Sequence, residues 1–113
     1  MRYPKLVEII KNSLDEHKAE NIVVENVKEL TPFSDYYIVA TAPNERAVGA
    51  LADYVVEDLA KAKQDEPKLS GTPSSGWVIV DAGNVVAHIF TEEERDEIDL
   101  TGLVQEHLKK KKR

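Results

Sequence analysis

The sequence predicts a single α/β (α+β) domain in which a mixed sheet of four to five strands is packed with helices. Three observations lead to this prediction. Residues 76–90 form two β-rich runs around a polar turn, and residues 45–63 form an amphipathic helix. The patterns along the whole chain give the order α-β-β-α-(β)-β-β-α. The domain spans residues 1–113 and includes a basic C-terminal tail at residues 109–113.

The first half of the chain alternates helical and extended patterns. Residues 4–17 carry an apolar stripe behind a proline that suits a first helical turn, so they predict a helix. Residues 21–27 and 35–41 are rich in β-branched and aromatic residues and predict two strands joined by a proline-containing loop. Asn44 is the expected cap of the helix over residues 45–63, because apolar residues recur there at helical spacing.

Residues 76–90 predict a central β-hairpin. Val, Ile, Trp and Phe dominate both runs, and residues 81–84 tolerate the positive φ that a chain reversal requires. Both faces of the hairpin are largely apolar, which favours a hairpin covered by other elements. Alternation places Trp77, Ile79 and Asp81 on one face of the first run, and Val86, His88 and Phe90 on one face of the second.

Two further elements complete the order. Residues 64–76 are polar and rich in Pro and Gly, which predicts a connection with a short edge strand at residues 68–70. Thr91 and Glu94 have the spacing of a capping box and predict the start of a last helix. The apolar stripe of that helix consists of Leu100, Leu103, Val104 and Leu108.

Charge is distributed unevenly along the chain. Residues 109–113 hold five of the fifteen basic residues, and the rest of the chain therefore carries ten basic and twenty-one acidic residues, a net charge of −11. Such an acidic body is a poor ligand for a phosphate backbone and suits a basic protein surface. The alternative is that the excess of acidic residues only keeps the domain soluble. The tail fits either a solvated end or a nonspecific contact to RNA phosphate.

Composition excludes several classes of protein. There is no cysteine, which excludes disulfides and thiolate metal sites. No apolar run approaches the ~20 residues needed to span a bilayer, and the N-terminus lacks the apolar segment of a signal peptide. We therefore expect a cytoplasmic protein with no membrane contact. His17, His88 and His107 form no ligand pattern, so no metal or other cofactor is expected. His88 fits either a hydrogen-bonded structural residue or a contact residue.

Catalytic patterns are incomplete in this sequence. Residues 71–76 have the glycine spacing of a phosphate loop, but Trp77 and Val78 stand where such a loop needs Lys and Ser or Thr. Carboxylates at i and i+2 of a strand can hold two metal ions for phosphoryl transfer, but Asp35 is followed at that spacing by Tyr37. No Gly-x-Ser-x-Gly elbow is present. We expect no enzyme, and the alternatives are a divergent nucleotidyltransferase-like enzyme or a small metabolite-binding regulatory domain.

Several separate motifs resemble one known family. They are Ser34-Asp35-Tyr36, Val39-Ala40-Thr41, Arg46-Ala47-Val48, Ala52-Asp53, Gly76-Trp77-Val78, residues 80–86, His88-Ile89-Phe90 and Arg95. In this order they resemble the ribosomal silencing factors, the Iojap family, over roughly residues 21–103. The chain departs from the family at two places. Asn84 stands where the family usually has Asp in the turn. Residues 98–104 lack the two aromatic residues that family members commonly carry in this segment.

The resemblance implies a domain of nucleotidyltransferase-like topology without the catalytic carboxylate pair. It also implies a translational repressor that is a homodimer when free and binds the large ribosomal subunit. The implied contact is a basic ribosomal protein, number fourteen, on the intersubunit face, where the factor blocks joining of the small subunit. No specific nucleic acid contact is expected. A dimer is also expected because the hairpin faces and the Tyr36, Ile38 and Ala40 face look too apolar for the helices to cover.

Charge and resemblance together nominate partner-binding residues. Trp77 is the expected aromatic anchor, and the alternative is a core tryptophan whose N–H is satisfied internally. Asp35 and Asp81 are expected to face basic side chains of the partner. The remaining candidates are Tyr36 and His88, as flanking polar contacts, and Glu92 and Arg95, at the start of the last helix.

Overall fold

The computed structural model describes residues 3–96 and 102–105. The described residues contain the helices α1 (Lys5–Glu16), α2 (Glu45–Lys61) and α3 (Glu92–Asp96), and residues 102–105 are also helical. The strands are β1 (Glu20–Asn26), β2 (Tyr36–Ala42), β3 (Lys68–Thr72), β4 (Trp77–Asp81) and β5 (Val85–Thr91). A 3₁₀ turn, Pro73–Ser75, joins β3 to β4. Within the described part of the chain, no helix has the length and apolarity that a membrane crossing requires.

The five strands form one mixed sheet in the order β1-β2-β5-β4-β3. β2 and β5 run parallel, and the other neighbours are antiparallel. A parallel pair needs a long crossover, which α2 and the two strands after it supply. β5 lies at the centre of the sheet, so the structure confirms both the mixed five-stranded sheet and the central position of the predicted hairpin.

The larger core lies between the sheet and the two long helices. Asn44 caps α2 as expected, because its Oδ1 accepts a hydrogen bond from the Ala47 N–H at 2.8 Å. The apolar stripes of α1 and α2 then face the same side of the sheet. The fully buried members of this core include Val7, Ile10 and Leu14 of α1, Val48, Val55 and Leu59 of α2, and Ile38, Ala40, Val80, Ala87 and Ile89 of the sheet.

The opposite face of the sheet, here called the second face, carries a smaller core. Its buried strand residues pack with Leu103 and Val104 from the helical residues 102–105. Trp77 lies partly buried at the margin of this cluster. The buried members from the sheet and the adjoining loop are Val27, Tyr37, Val39, Ile79, Val86 and Phe90.

One basis for expecting a dimer is wrong. The β2 face with Tyr36, Ile38 and Ala40 is covered by helices within the chain, and even Tyr36 is only 7% exposed. Both long helices pack on this one face, which is why it needs no further cover.

The predicted capping box at the start of α3 is half formed. Thr91 Oγ1 accepts a hydrogen bond from the Glu94 N–H at 3.4 Å, while the Thr91 N–H donates to the Gly76 carbonyl at 2.9 Å.

Element boundaries differ from the expected ones by a few residues. α2 ends at Lys61, followed by Lys63 with a φ of 59°. The edge strand β3 is longer than expected and reaches Thr72. The stripe residues Leu100 and Leu108, His107, and the tail at residues 109–113 lie outside the described residues.

Candidate functional site

Strand register places the candidate residues at two ends of the second face. Trp77 pairs with Phe90, which pairs with Thr41, and we call this row the tryptophan end. Asp81 pairs with Val86 in a row four residues further along β4, which we call the aspartate end. At about 3.3 Å per residue the two rows lie about 13 Å apart.

Trp77 is held at the first position of β4 and remains partly exposed. It follows Gly76, whose φ of 77° turns the chain out of the 3₁₀ turn and into the strand. The indole Nε1–H donates a hydrogen bond to Nδ1 of His88 at 3.2 Å, and the ring lies 4.8 Å from the ring of Phe90. Trp77 therefore has an internal partner for its N–H and a ring surface open to solvent.

A group of acidic side chains lies beside the start of β4, next to Trp77. The hydrogen bond from the Thr91 N–H to the Gly76 carbonyl fixes the start of α3 beside the start of β4. The first turn of α3 carries Glu92, Glu93 and Glu94. Glu94 passes close over Gly76, since a Cβ on that glycine would lie 2.8 Å from Glu94 Cγ. Sequence reasoning did not nominate Glu94 as a contact residue, although its spacing from Thr91 placed it at this helix start.

Arg95 occupies a groove beyond the acidic turn. Its guanidinium Nη1 donates to the Asn21 carbonyl and to Thr41 Oγ1, each at 2.6 Å. The Asn21 carbonyl is available because β1 is irregular there, with a φ of 49° at Asn21. Burial lowers the pKa of Arg95, opposed by the charge of Asp96. The groove has a volume of about 730 Å³ and is lined by residues 21–23, Thr41, Glu92, Arg95 and Asp96.

The aspartate end is a hydrogen-bonded cluster of two loops. The Asp35 N–H donates to the Asn84 carbonyl at 2.7 Å, and Ser34 Oγ donates to the Gly83 carbonyl at 3.1 Å. Asp81 Oδ1 accepts from the Gly83 N–H at 2.9 Å, which shapes the turn between β4 and β5. Asp35 and Asp81 are both partly exposed, and the structure brings them to the same end of the sheet.

Tyr37, the residue at the position of a second carboxylate, lies fully buried under the second face. Burial and, after it, the negative charge of Asp81 raise the pKa of Tyr37, so the side chain stays a neutral phenol at physiological pH. A neutral phenol is a poor ligand for a divalent cation. Among residues 3–96 and 102–105, no three His, Asp or Glu side chains come together as a metal ligand set.

Two exposed apolar side chains beside Asp35 were missed by sequence reasoning. Leu30 and Phe33, in the loop between β1 and β2, are 52% and 46% exposed. The loop is held in place by hydrogen bonds from the Leu30 N–H to the Val27 carbonyl at 3.0 Å and from the Phe33 N–H to Thr31 Oγ1 at 3.2 Å. The signal that could have found them is the presence of large apolar residues in a proline-containing loop.

Two of the nominated residues are not surface contacts in this structure. Tyr36 points to the helix-covered face, with its ring against Tyr3 at 5.8 Å, and so is not brought together with Trp77. His88 is 0% exposed, and its described hydrogen bond is to the Trp77 indole. Of the two roles left open for His88, the geometry supports the hydrogen-bonded structural residue. Trp77, Glu92 and Arg95 gather at the tryptophan end.

Comparison with known proteins gives consistent matches over most of the chain. The profile of the family described as ribosomal silencing factor during starvation matches residues 1–113. The chain is 30% identical to the ribosomal silencing factor RsfS of Halalkalibacterium halodurans over 84% of this chain and 81% of that protein. A crystal structure of a protein from Chromobacterium violaceum superposes with a TM-score of 0.78 at 33% identity, covering 85% of this chain and 80% of that one. The mouse mitochondrial assembly of ribosomal large subunit protein 1 is 25% identical over 86% of this chain and 44% of its own length.

Proposed function

The chain belongs to the ribosomal silencing factor family and is on that ground a ribosome-associated translation regulator, and we propose that it acts by binding the large ribosomal subunit. The proposed partner is a basic ribosomal protein, number fourteen, on the intersubunit face. The bound factor then blocks joining of the small subunit and lowers translation. The name of the mouse relative, which refers to the assembly of the large ribosomal subunit, supports this choice of subunit.

The partly exposed Trp77 at the tryptophan end is the observation on which this placement of the interface rests. Aromatic residues held in a fixed orientation at the centre of a contact supply a large share of binding energy in protein interfaces. The Trp77 ring has a hydrogen-bonded N–H and is supported by Phe90 on one side, so little orientational freedom is lost on docking.

Charge supports a basic protein as the partner. Glu92, Glu93 and Glu94 lie at the start of α3 beside Trp77. The row of Asp81 lies about 13 Å from that of Trp77, and Asp35 lies beyond it at the same end of the sheet. A standard interface covers roughly 800 Å² on each partner, so one basic surface can contact both ends. Like-signed phosphate would be repelled by the same side chains, so specific RNA contact is not part of the proposal.

Steric occlusion needs no catalytic residue and no contact with the small subunit. The described chain measures 31 × 31 × 29 Å along its principal axes. A folded body of that thickness on the intersubunit face holds the two subunits apart at that point. The proposed factor therefore represses by occupying space, and its potency follows its affinity for the large subunit.

We propose that the free protein is a homodimer in the cytoplasm. Leu69 of the edge strand β3 is 53% exposed, and Val23 of the other edge strand is 38% exposed. Edge strands with exposed apolar side chains are common sites of self-association. The covered Tyr36 face takes no part in this proposal.

Binding of variants to purified large subunits across a salt series tests the proposal. Trp77→Ala is expected to cost roughly 2 kcal/mol or more, as truncation of an anchoring aromatic does. Asp81→Lys should weaken binding more than Asp81→Asn, because a like charge repels as well as failing to pair. Circular dichroism must confirm that each variant folds. Unchanged binding by folded Trp77→Ala and Asp81→Lys would refute this placement of the interface.

A further inference from the structure

Trp77 and His88 form a pair in which the buried residue orients the exposed one. His88 lies on the central strand β5 and is 0% exposed, with Val39 and Ile79 as its register partners on the two neighbouring strands. Its Nδ1 lies 3.2 Å from Nε1 of Trp77. The ring of His88 is also close to that of Tyr37, at 4.7 Å between centroids. His88 is thus fixed by packing on several sides.

The hydrogen bond to His88 determines which edge of the indole faces inward. The contact with Phe90, at an interplanar angle of 33°, supports the ring but is apolar and has no single preferred edge. An indole has one N–H donor, and one acceptor in a fixed position therefore selects one orientation of the ring. Because Nδ1 of His88 accepts this hydrogen bond, the single N–H of the neutral imidazole ring must be on Nε2.

We propose that His88 is a positioning residue, which holds the Trp77 indole in the orientation that docks on the partner and does not touch the partner itself. This inference rests on the proposed function in that it takes Trp77 as the anchor. Orienting the ring before contact reduces the side-chain freedom that binding must remove. Replacing the acceptor therefore weakens binding even when the fold is intact.

The unmodified protein supplies the first test, because the chain contains a single tryptophan. Nitrogen chemical shifts of ¹⁵N-labelled protein should give His88 protonated on Nε2 and bare on Nδ1. The indole N–H should exchange slowly with solvent. A proton on Nδ1, or an indole N–H that exchanges as fast as in a short peptide, would overturn the proposal without any variant or ribosome.

Two replacements of His88 separate positioning from packing. His88→Asn places an amide oxygen near the position of Nδ1 but leaves a smaller side chain, whereas His88→Leu has a similar volume and no acceptor. We expect slow indole exchange and near-native large-subunit binding in His88→Asn. We expect fast exchange and about threefold to tenfold weaker binding in His88→Leu, the loss typical of one neutral hydrogen bond. Binding that follows thermal stability instead of the acceptor would contradict the positioning role.

A double-mutant cycle with Trp77→Phe tests the same hydrogen bond by removing its donor, the indole N–H of Trp77. Phe keeps an aromatic ring and lacks the N–H, so His88→Leu should weaken binding no further in that background. An equal loss in both backgrounds would show that His88 acts by another route. Trp77→Ala separates the two proposals: normal binding by that variant refutes the anchor, whereas its loss together with normal binding by His88→Leu refutes the positioning alone.

Discussion

Replacing Gly76 with Ala is expected to destabilise the fold by about 2–3 kcal/mol, which combines a backbone cost and the loss of a helix cap. Gly76 has a φ of 77°, and an L-residue in the left-handed region costs about 1–2 kcal/mol. The new Cβ would lie 2.9 Å from Thr91 Oγ1, so Thr91 must move away from the Glu94 N–H that it caps. Loss of such a cap costs about 1 kcal/mol.

Gly83→Ala is the matched control for this prediction. Gly83 also has a positive φ, 91°, but an added Cβ there meets no atom within 4 Å. Only the backbone cost applies, so Gly76→Ala should be the more destabilising by about 1 kcal/mol. Urea unfolding followed by circular dichroism, at one protein concentration, measures both free energies of unfolding. Equal costs at the two glycines, or a larger cost at Gly83, would refute the proposed connection between Gly76 and the α3 cap.

Three further predictions follow from the proposed function. Light scattering at micromolar concentration should give the mass of a dimer, and a monomer mass at every concentration would rule the dimer out. Labelled nucleoside triphosphates with magnesium or manganese should be left unchanged, because Tyr37 stands where a two-metal site needs its second carboxylate; turnover abolished by Asp35→Ala would reverse this view. Deleting residues 109–113 should change large-subunit binding by less than about twofold, whereas a salt-dependent loss of tenfold or more would point to RNA phosphate as the target.

Helices and strands could be predicted because their apolar periodicities differ. The apolar residues of α2 recur at helical spacing, and those of β4 and β5 alternate or run continuously. The parallel pairing of β2 with β5 could not be predicted, because it depends on a crossover that contains α2, β3 and β4. The β2 face with Tyr36 was expected to remain uncovered because its residues are apolar. The number of apolar positions on β2 does not reveal that both long helices pack on that face.

The candidate site was predicted in part. Trp77, Asp35 and Asp81 are exposed enough to be contacts, and alternation along β4 had placed Trp77 and Asp81 on one face. The bond between Trp77 and His88 depends on the register of the hairpin, which the composition of the turn does not determine. The Arg95 groove depends on the irregular backbone at Asn21, and no sequence pattern indicated that irregularity.

Sedimentation of separated ribosomal subunits with the purified protein tests the central claim most directly. The protein should co-sediment with large subunits and not with small ones. When it is added before the subunits are mixed, the peak of joined ribosomes should fall in proportion to the large subunits occupied. At a concentration at which the unmodified protein half-saturates the large subunits, folded Trp77→Ala should co-sediment only weakly and should leave that peak nearly unchanged, because a loss of about 2 kcal/mol is roughly a thirtyfold loss of affinity. Co-sedimentation with the small subunit, or with joined ribosomes whose amount is unchanged, would contradict occlusion at the intersubunit face.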